Sequence, residues 1–414
     1  MKIIIANYRY FIAGGPEKYM FKFMEAAAQR GIEVIPFSVA NPQNENSEYS
    51  EYFAKPRADA LMYTDTRKTI GNLIGVIRAT VWNYDAAYRL RRLIRATKPD
   101  AVYILHEINH LSPSIIRAAG KEGVRVVHRI SDFFMFCAKY DFLCENEICE
   151  ACIQGDYRKA IQKRCMKGSH LGTYLRIFAM KLYWRIGVFE EVDHYITTCH
   201  FTKHKLVEGG IDARKISCVP TFIDSSLLEP CYEDEKYFLF LGRMAVQKGT
   251  IYAVQAMEYL KDTEYVLKVT GTVSDSEEDQ KLWQYIVDHQ LEDKVIFTGF
   301  LRGKELEALI SRATCIVCPS IWYENMPNTV IEAYAYGKPV VASAIGSLEE
   351  VVADDVTGYL FERKNAENLA EKLRKFVCKE GLAKELGVKA RKVCEEQYGV
   401  DRHMDDVIRI LKGE

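Results

Sequence analysis

Short apolar runs and longer amphipathic stretches alternate along this chain. Residues 2–6 (KIIIA), 33–37, 101–105 and 124–130 read as buried strands, each a short run bounded by turn residues. Helical patterns lie between them, at 16–30, about 85–98, and 113–120. The first of these opens at Ala13-Gly14-Gly15-Pro16 and stops at Gly31. Strands at 194–198 and 216–219 end the first series, and 220–230 reads as a linker. A second series begins at Tyr237, with strands at 238–241, 265–270, 295–299, 315–319 and 340–342. Residues 348–352, 358–361 and helices after Asn365 complete the second sheet. The polar segment 41–68, with Tyr49, Tyr52 and Phe53 interspersed, reads as surface. Alternation of this kind predicts an α/β protein with two Rossmann-like domains of parallel sheet.

Length agrees, since 414 residues exceed one ordinary core. A hydrophobic share of 48% suits a globular protein. A net charge of −1 gives no general affinity for polyanions, so nucleic acid is not an expected partner. No stretch approaches the roughly 18 apolar residues of a membrane span, and the start is too short an apolar run for a signal peptide. The expected location is cytoplasmic, where the 12 cysteines stay thiols.

The chemistry concentrates at 319–343, PSIWYENMPNTVIEAYAYGKPVVAS with its flanks, read as strand end, loop, helix, turn and strand. Pro327 suits a helix's first turn; Gly337 and Pro339 stop it. A helix start beyond a strand's C-terminal end is where open α/β sheets bind ligands, and the free N–H groups of Asn328 and Thr329 offer an anion site. Glu324 precedes the helix and Glu332 lies within it, leaning back toward its start. Carboxylates beside an anion site suggest hydroxyl partners. Arg243 and Lys248, in the loop after the 238–241 strand, offer two cations for a diphosphate. The bland readings are a solvated Glu pair and two exposed cations.

Glu324 and Glu332, with seven residues between them, resemble the E-x7-E motif of retaining family 4 glycosyltransferases with the GT-B fold. The likeness continues through Ala333, Gly337, Lys338, Pro339 and Val340, and Gly242-Arg243 to Lys248-Gly249 resembles the family's G-R-x4-K-G. The resemblance implies that Glu324 binds the donor sugar and Glu332 the ribose. It implies that Asn325, Met326, Pro327, Asn328 and Thr329 hold the diphosphate by backbone, and that Arg243 and Lys248 carry it as it leaves. It places Gly14 and Gly15 across the cleft from the phosphates, and Gly271 and Phe300-Leu301 on the ribose and base side. Ser131-Asp132 stands where many members have His-Asp, so Asp132 is only a polar candidate; His106, Asn109 and His110 are candidates for acceptor contact. The resemblance further implies domains at 1–222 (acceptor side, with a Cys-rich insert at 137–168) and 223–395, and a helix at 396–414 crossing back to the first domain.

Cys144, Cys149, Cys152 and Cys165 are four thiols in a segment with little apolar core. Four thiolates close a tetrahedral zinc site with no open position, so the role would be structural; free thiols are the alternative, and Cys137 is a substitute ligand. Cys315 and Cys318, also C-x-x-C, read as core. The arginines of 85–98 suit either a solvated face or anionic lipid and acceptor phosphate. The helix at 171–188 mixes basic and aromatic residues, and suits either domain packing or a membrane surface.

No Asp-x-Asp occurs, so protein cations rather than a catalytic metal must balance the diphosphate. The resulting reading is a metal-independent hexosyltransferase. It moves a sugar from a nucleotide-sugar donor to a glycan or lipid-linked acceptor, with retention, in polysaccharide synthesis. The alternatives are a non-catalytic nucleotide-sugar-binding subunit and a sugar-nucleotide epimerase.

Overall fold

The computed structural model describes residues 1–56, 69–107, 110–271 and 276–414. The first sheet contains β1 (Lys2–Asn7), β2 (Glu33–Phe37), β3 (Ala101–His106) and β4 (Arg125–Arg129). A small antiparallel hairpin, β5 (Leu143–Cys144) and β6 (Glu147–Ile148), follows, and β7 (His194–Thr197) and β8 (Ile216–Cys218) finish the sheet. Its order is β2-β1-β3-β4-β7-β8, parallel throughout. The second sheet holds β9 (Tyr237–Leu241), β10 (Val266–Thr270), β11 (Val295–Gly299), β12 (Cys315–Cys318), β13 (Val340–Ser343) and β14 (Gly358–Phe361). Its order is β11-β10-β9-β12-β13-β14, again parallel.

Parallel sheets are covered on both faces, so their strands read as continuous apolar runs. Ile3, Ile4 and Ile5 of β1 and Phe238 and Leu239 of β9 are fully buried accordingly. Cys315 and Cys318 are buried in β12, as a core reading requires. In each sheet the chain reverses its direction of travel beside the first strand, between β1 and β3 and between β9 and β12. Ligands bind at such switch points, outside the carboxyl ends of the strands.

The last helix, Val400–Lys412, packs on the first domain. Arg30, the C-cap of the Gly15–Gln29 helix, bonds Asp401 at 2.5 Å and Asp405 at 2.6 Å. His403 donates from Nδ1 to the Pro220 carbonyl at 2.6 Å, leaving Nε2 to accept from Tyr19 at 2.9 Å. Burial pushes this imidazole down to about 3, so it stays neutral.

Several elements differ from the sequence reading, the β5–β6 hairpin among them, and Phe53, read as surface, is buried in the first-domain core. Residues 348–352 do not join the sheet; Ser347–Val351 is a short helix. A helix at Ile70–Val81, capped by Thr69, was not expected at all. Of the polar segment 41–68, residues 57–68 lie outside the described part.

Candidate active site

The two loops at the second switch point are laced together. Gly249 has φ +69°, and a Cβ there would lie 1.9 Å from the Pro319 carbonyl oxygen. Only glycine fits both the backbone and the approach. The Ile321 N–H donates to the Gln247 carbonyl at 3.0 Å. This contact brings Lys248 Nζ to 2.7 Å from Glu324 Oε1. The same oxygen accepts from Ser320 Oγ at 2.7 Å and Trp322 Nε1 at 2.8 Å. Glu324 is buried, and burial alone would raise its carboxyl. The Lys248 charge and the three donors outweigh that and hold it below the usual range. Arg243 is exposed and makes no hydrogen bond or ion pair among the described residues. It faces the first domain: burial raises the Tyr140 phenol, and the Arg243 charge opposes the rise.

The helix beyond this loop is Asn328–Ala335, with Pro327 as its N-cap, one position earlier than expected. It starts against the start of the Gly15–Gln29 helix, so two positive helix ends meet across the cleft. A Cβ on Gly15 would lie 3.2 Å from Asn328 Nδ2. The pocket between them is lined by Gly15, Lys18, Lys22, Asn328 and Glu332 among others. Burial raises the Glu332 carboxyl, and Lys18 and Lys22 oppose the rise only in part. The two carboxylates of the motif are therefore tuned in opposite directions. Gly14 precedes the first helix in extended backbone. Gly271 (φ +144°) sits where a Cβ would be 2.8 Å from the Gly242 carbonyl, so its immediate role is to let β10's end close on the β9 loop.

Asn325 ties this loop to the first domain. Its Nδ2 donates to the Ile130 carbonyl at 2.9 Å. Its Oδ1 accepts from Thr198 Oγ1 and Thr202 Oγ1, each at 3.1 Å. Its carbonyl accepts from Thr198 Oγ1 at 3.0 Å. Met326 packs on the second-domain core, and Thr329 is partly exposed on the helix's first turn.

At the first switch point, Asp132 Oδ2 lies 3.2 Å from His106 Nε2, while Oδ1 accepts the Phe134 N–H at 2.8 Å. Burial would lower the His106 imidazole, but Asp132, with Glu107 and Glu17, outweighs it and raises it. Ser131 turns back, donating from Oγ to the Leu105 carbonyl at 3.0 Å. His110 stacks on Tyr8 at 5.0 Å and is pushed down to about 4 by burial, with Arg9 adding to the fall. Asn109 lies outside the described residues.

The Cys-rich insert is built on the β5–β6 hairpin. Glu145 and Asn146 both have positive φ (52° and 62°), as a two-residue hairpin turn requires. Lys163 Nζ reaches Glu145 at 2.8 Å, bringing the Cys165 stretch to the hairpin. Burial and the nearby thiols, Cys144 first and then Cys137 and Cys149, push Cys165 up to about 12. Burial and the neighbouring thiols, Cys137 and Cys149 among them, push Cys152 up to about 12. Among the described residues, however, no three of these sulfurs lie within 4.8 Å of one another. The trio that does is His200, Cys218 and Glu350. There the carboxylate is a helix cap, accepting the His200 and Phe201 N–H groups at 2.9 and 3.0 Å. The insert also reaches the second domain, where Glu147 pairs with Arg363 at 2.8 Å and with Lys364.

The basic helix Tyr84–Thr97 is largely paired: Arg91 and Arg95 hold Glu122, and Arg89 holds Asp85. Helix His170–Arg185 exposes Leu171, Tyr174 and Phe178 on the stripe that continues to Lys181 and Arg185, and buries Arg176. No helix among the described residues is long and apolar enough to cross a membrane.

The family model described as Glycosyltransferase Family 4 matches residues 13–227, over half of the chain, and the one described as Glycosyl transferases group 1 matches 229–393. The chain belongs to the group 1, family 4 glycosyltransferases. An uncharacterized glycosyltransferase of Methanocaldococcus jannaschii is 32% identical over 44% of the chain and 45% of its own length. The O-antigen chain mannosyltransferase RfbU of Salmonella typhimurium is 28% identical over 48% of the chain and 59% of its own length. The chain spans about half the length of the curated relatives it matches. Among solved structures, sucrose-phosphate synthase of Thermosynechococcus elongatus matches with a TM-score of 0.72 at 20% identity, covering 100% of this chain and 98% of that one. HepE of Anabaena, in complex with UDP and glucose, matches at 0.68 and 13% identity, with 100% of both chains covered. Likeness at that identity bears on fold alone, and the fold is GT-B.

Sequence reading missed Lys18, Lys22, Ser320 and Trp322. A signal existed for the first two, spaced one turn apart on the helix that Gly15 opens. None existed for the other two beyond their closeness to Glu324.

Proposed function

We propose that this chain moves a sugar from a nucleotide-sugar donor to an acceptor hydroxyl in polysaccharide or glycan synthesis, with retention of configuration. The observation that carries the reading is the Lys248–Glu324 pair set beside two facing helix starts. Glu324, anionic and already oriented by Ser320 and Trp322, accepts the sugar hydroxyls. The diphosphate lies between the Asn328 and Gly15 ends, where helix dipoles and Arg243 and Lys248 stabilise the charge that develops as it leaves. The loop from Asn325 to Thr329 supplies backbone N–H groups, with Gly14 and Gly271 giving room. Glu332 takes the ribose. The donor is a uridine or other nucleoside diphosphate sugar, in keeping with the UDP held by HepE, and the acceptor a glycan, in keeping with RfbU's name. No metal is needed at the diphosphate in this scheme, since protein cations are at hand.

Two further proposals concern the surroundings. The insert cysteines Cys144, Cys149, Cys152 and Cys165 take a structural zinc, the gathering of these thiols near one another, with Cys152 and Cys165 each raised by burial and by its neighbours, being its support. The exposed Leu171, Tyr174 and Phe178 with Lys181 and Arg185 rest on an anionic membrane surface, where a lipid-linked acceptor would be found.

A thermal-shift screen against UDP, GDP and ADP, and their sugars, tests the donor site, because a ligand of the folded state raises its stability. One nucleotide class should raise the melting temperature, and Arg243→Ala should abolish the rise. No rise with any class would overturn the reading. Binding without transfer to any glycoside acceptor would favour the non-catalytic subunit.

A further inference from the structure

Three side chains of different metal-ligating chemistry converge where the domains meet. His200 opens the helix His200–Glu208, Cys218 ends β8, and Glu350 lies on the short helix Ser347–Val351. Their ligand atoms all lie within 4.8 Å of one another. His200 and Cys218 belong to the first domain and Glu350 to the second, so the three meet only while the domains are together. Solvent reaches them: His200 and Glu350 are exposed and Cys218 is partly so. The Cys218 thiol is in no disulfide, and the His200 imidazole has no hydrogen-bond partner among the described residues. Glu350 is already oriented, one oxygen accepting the His200 N–H and the other the Phe201 N–H. Each carboxylate oxygen keeps a further lone pair, and outer donors of this kind fix the aim of a metal ligand.

We propose that His200, Cys218 and Glu350 bind a zinc ion that staples the two domains together, with water as its fourth ligand. Imidazole, thiolate and carboxylate in one set suit zinc, whereas magnesium and calcium select oxygen. Zinc lies about 2.0–2.3 Å from such ligands, which sets them about 3–4 Å apart. Small rotations of the exposed His200 and Glu350 side chains close that gap. Burial and the Glu350 charge push the Cys218 thiol up to about 12, so the ion displaces its proton to solvent as the metal–sulfur bond forms. Both sides of the site touch the donor loop. Cys199, next to His200, donates from Sγ to the Asn325 carbonyl at 3.2 Å, and Ser347, on the Glu350 helix, donates from Oγ to the Glu324 carbonyl at 2.7 Å. An ion here therefore favours the closed cleft, whatever the loop holds. With three protein ligands the site holds zinc less tightly than four thiolates do, so it fills from free metal and empties on desalting.

Isothermal titration of Zn2+ into the full chain, reduced, loaded with zinc and then desalted, tests the site. One ion should bind beyond any that the chain retains. His200→Ala, Cys218→Ser and Glu350→Gln should each weaken that binding about tenfold or more, since losing even an outer partner costs a metal site that much. Glu350→Gln carries the interdomain part, because Glu350 is the ligand from the second domain, and its amide oxygen keeps one of the two helix caps. Cys149→Ser with Cys152→Ser should leave this weaker binding at wild-type strength, which separates it from the insert. His200 is on the surface, so its variant keeps the test open where Cys218→Ser fails to fold. No further ion bound by the wild type, or binding of wild-type strength in folded His200→Ala, would overturn the site. Loss of the binding in the insert variant would overturn it too, by assigning the ion to the insert. Binding that survives Glu350→Gln at full strength would overturn the staple.

Discussion

Lys248 Nζ and Glu324 Oε1 lie 2.7 Å apart, joining the loops that follow β9 and β12. A cation proposed for phosphate and a carboxylate proposed for sugar thus neutralise one another before any donor arrives. Removing the lysine leaves a buried carboxylate with only Ser320 and Trp322 as donors. Lys248→Ala should cost about 2–3 kcal/mol of stability, somewhat under the full penalty for a broken buried pair because the lysine is partly exposed. It should also slow transfer by about 10²–10³-fold. Urea denaturation and turnover assays check both. Glu324→Gln in that background should recover stability without recovering transfer.

The opposite tuning of the two motif carboxylates predicts opposite pH behaviour. Glu324 is lowered in the fold, so its contribution is present above the unfolded carboxyl value, about 4.3, and disappears as pH falls through the folded one. Glu332 is raised, so its contribution is present below the unfolded value and disappears as pH rises through the folded one. Glu332→Gln should therefore melt at or above the wild-type temperature at pH 7, with the gain vanishing in acid. If the residue holds the ribose, nucleotide affinity should fall about tenfold in the same variant. Melting curves across pH, with and without nucleotide, separate these effects.

Two glycines should respond differently to alanine. Gly249→Ala meets both a positive φ and a carbonyl oxygen 1.9 Å from the new Cβ, so the loop must move. A loss of about 2 kcal/mol or more is expected. Gly15→Ala meets only the end of the Asn328 side chain at 3.2 Å, which is free to swing. Its stability should stay within about 0.5 kcal/mol of wild type, while nucleotide binding weakens. Calorimetry of both variants decides the contrast.

For the insert, protein prepared in reductant should take up one zinc per chain and lose it, with a fall in melting temperature, on adding chelator. Cobalt in its place should give the charge-transfer absorption of thiolate ligation. Cys149→Ser with Cys152→Ser should abolish both signals. Absence of uptake would leave these residues as free thiols.

What the sequence carried was local. The loop and helix around Glu324 were legible because Pro327, Gly337 and Pro339 punctuate them, and the strands because parallel-sheet runs are apolar throughout. The Ser347–Val351 helix was misread because five residues show too little periodicity to separate helix from strand. The Ile70–Val81 helix escaped because its apolar residues run nearly all round and Gly71 and Gly75 interrupt it. Relations between distant segments were not legible: Lys18 and Lys22 matter only opposite Glu332, and His106 meets Asp132 only because β3 and β4 are neighbours.

Asn325 gives the cleft a mechanical character. Its hydrogen bonds to Ile130, Thr198 and Thr202 join the two domains through the residue that follows Glu324. Separating the domains breaks that latch and pulls on the carboxylate beside it. If Glu324 holds the donor sugar as proposed, release of the sugar and opening of the cleft are one motion, so a slow-opening chain would also be slow to let its donor go.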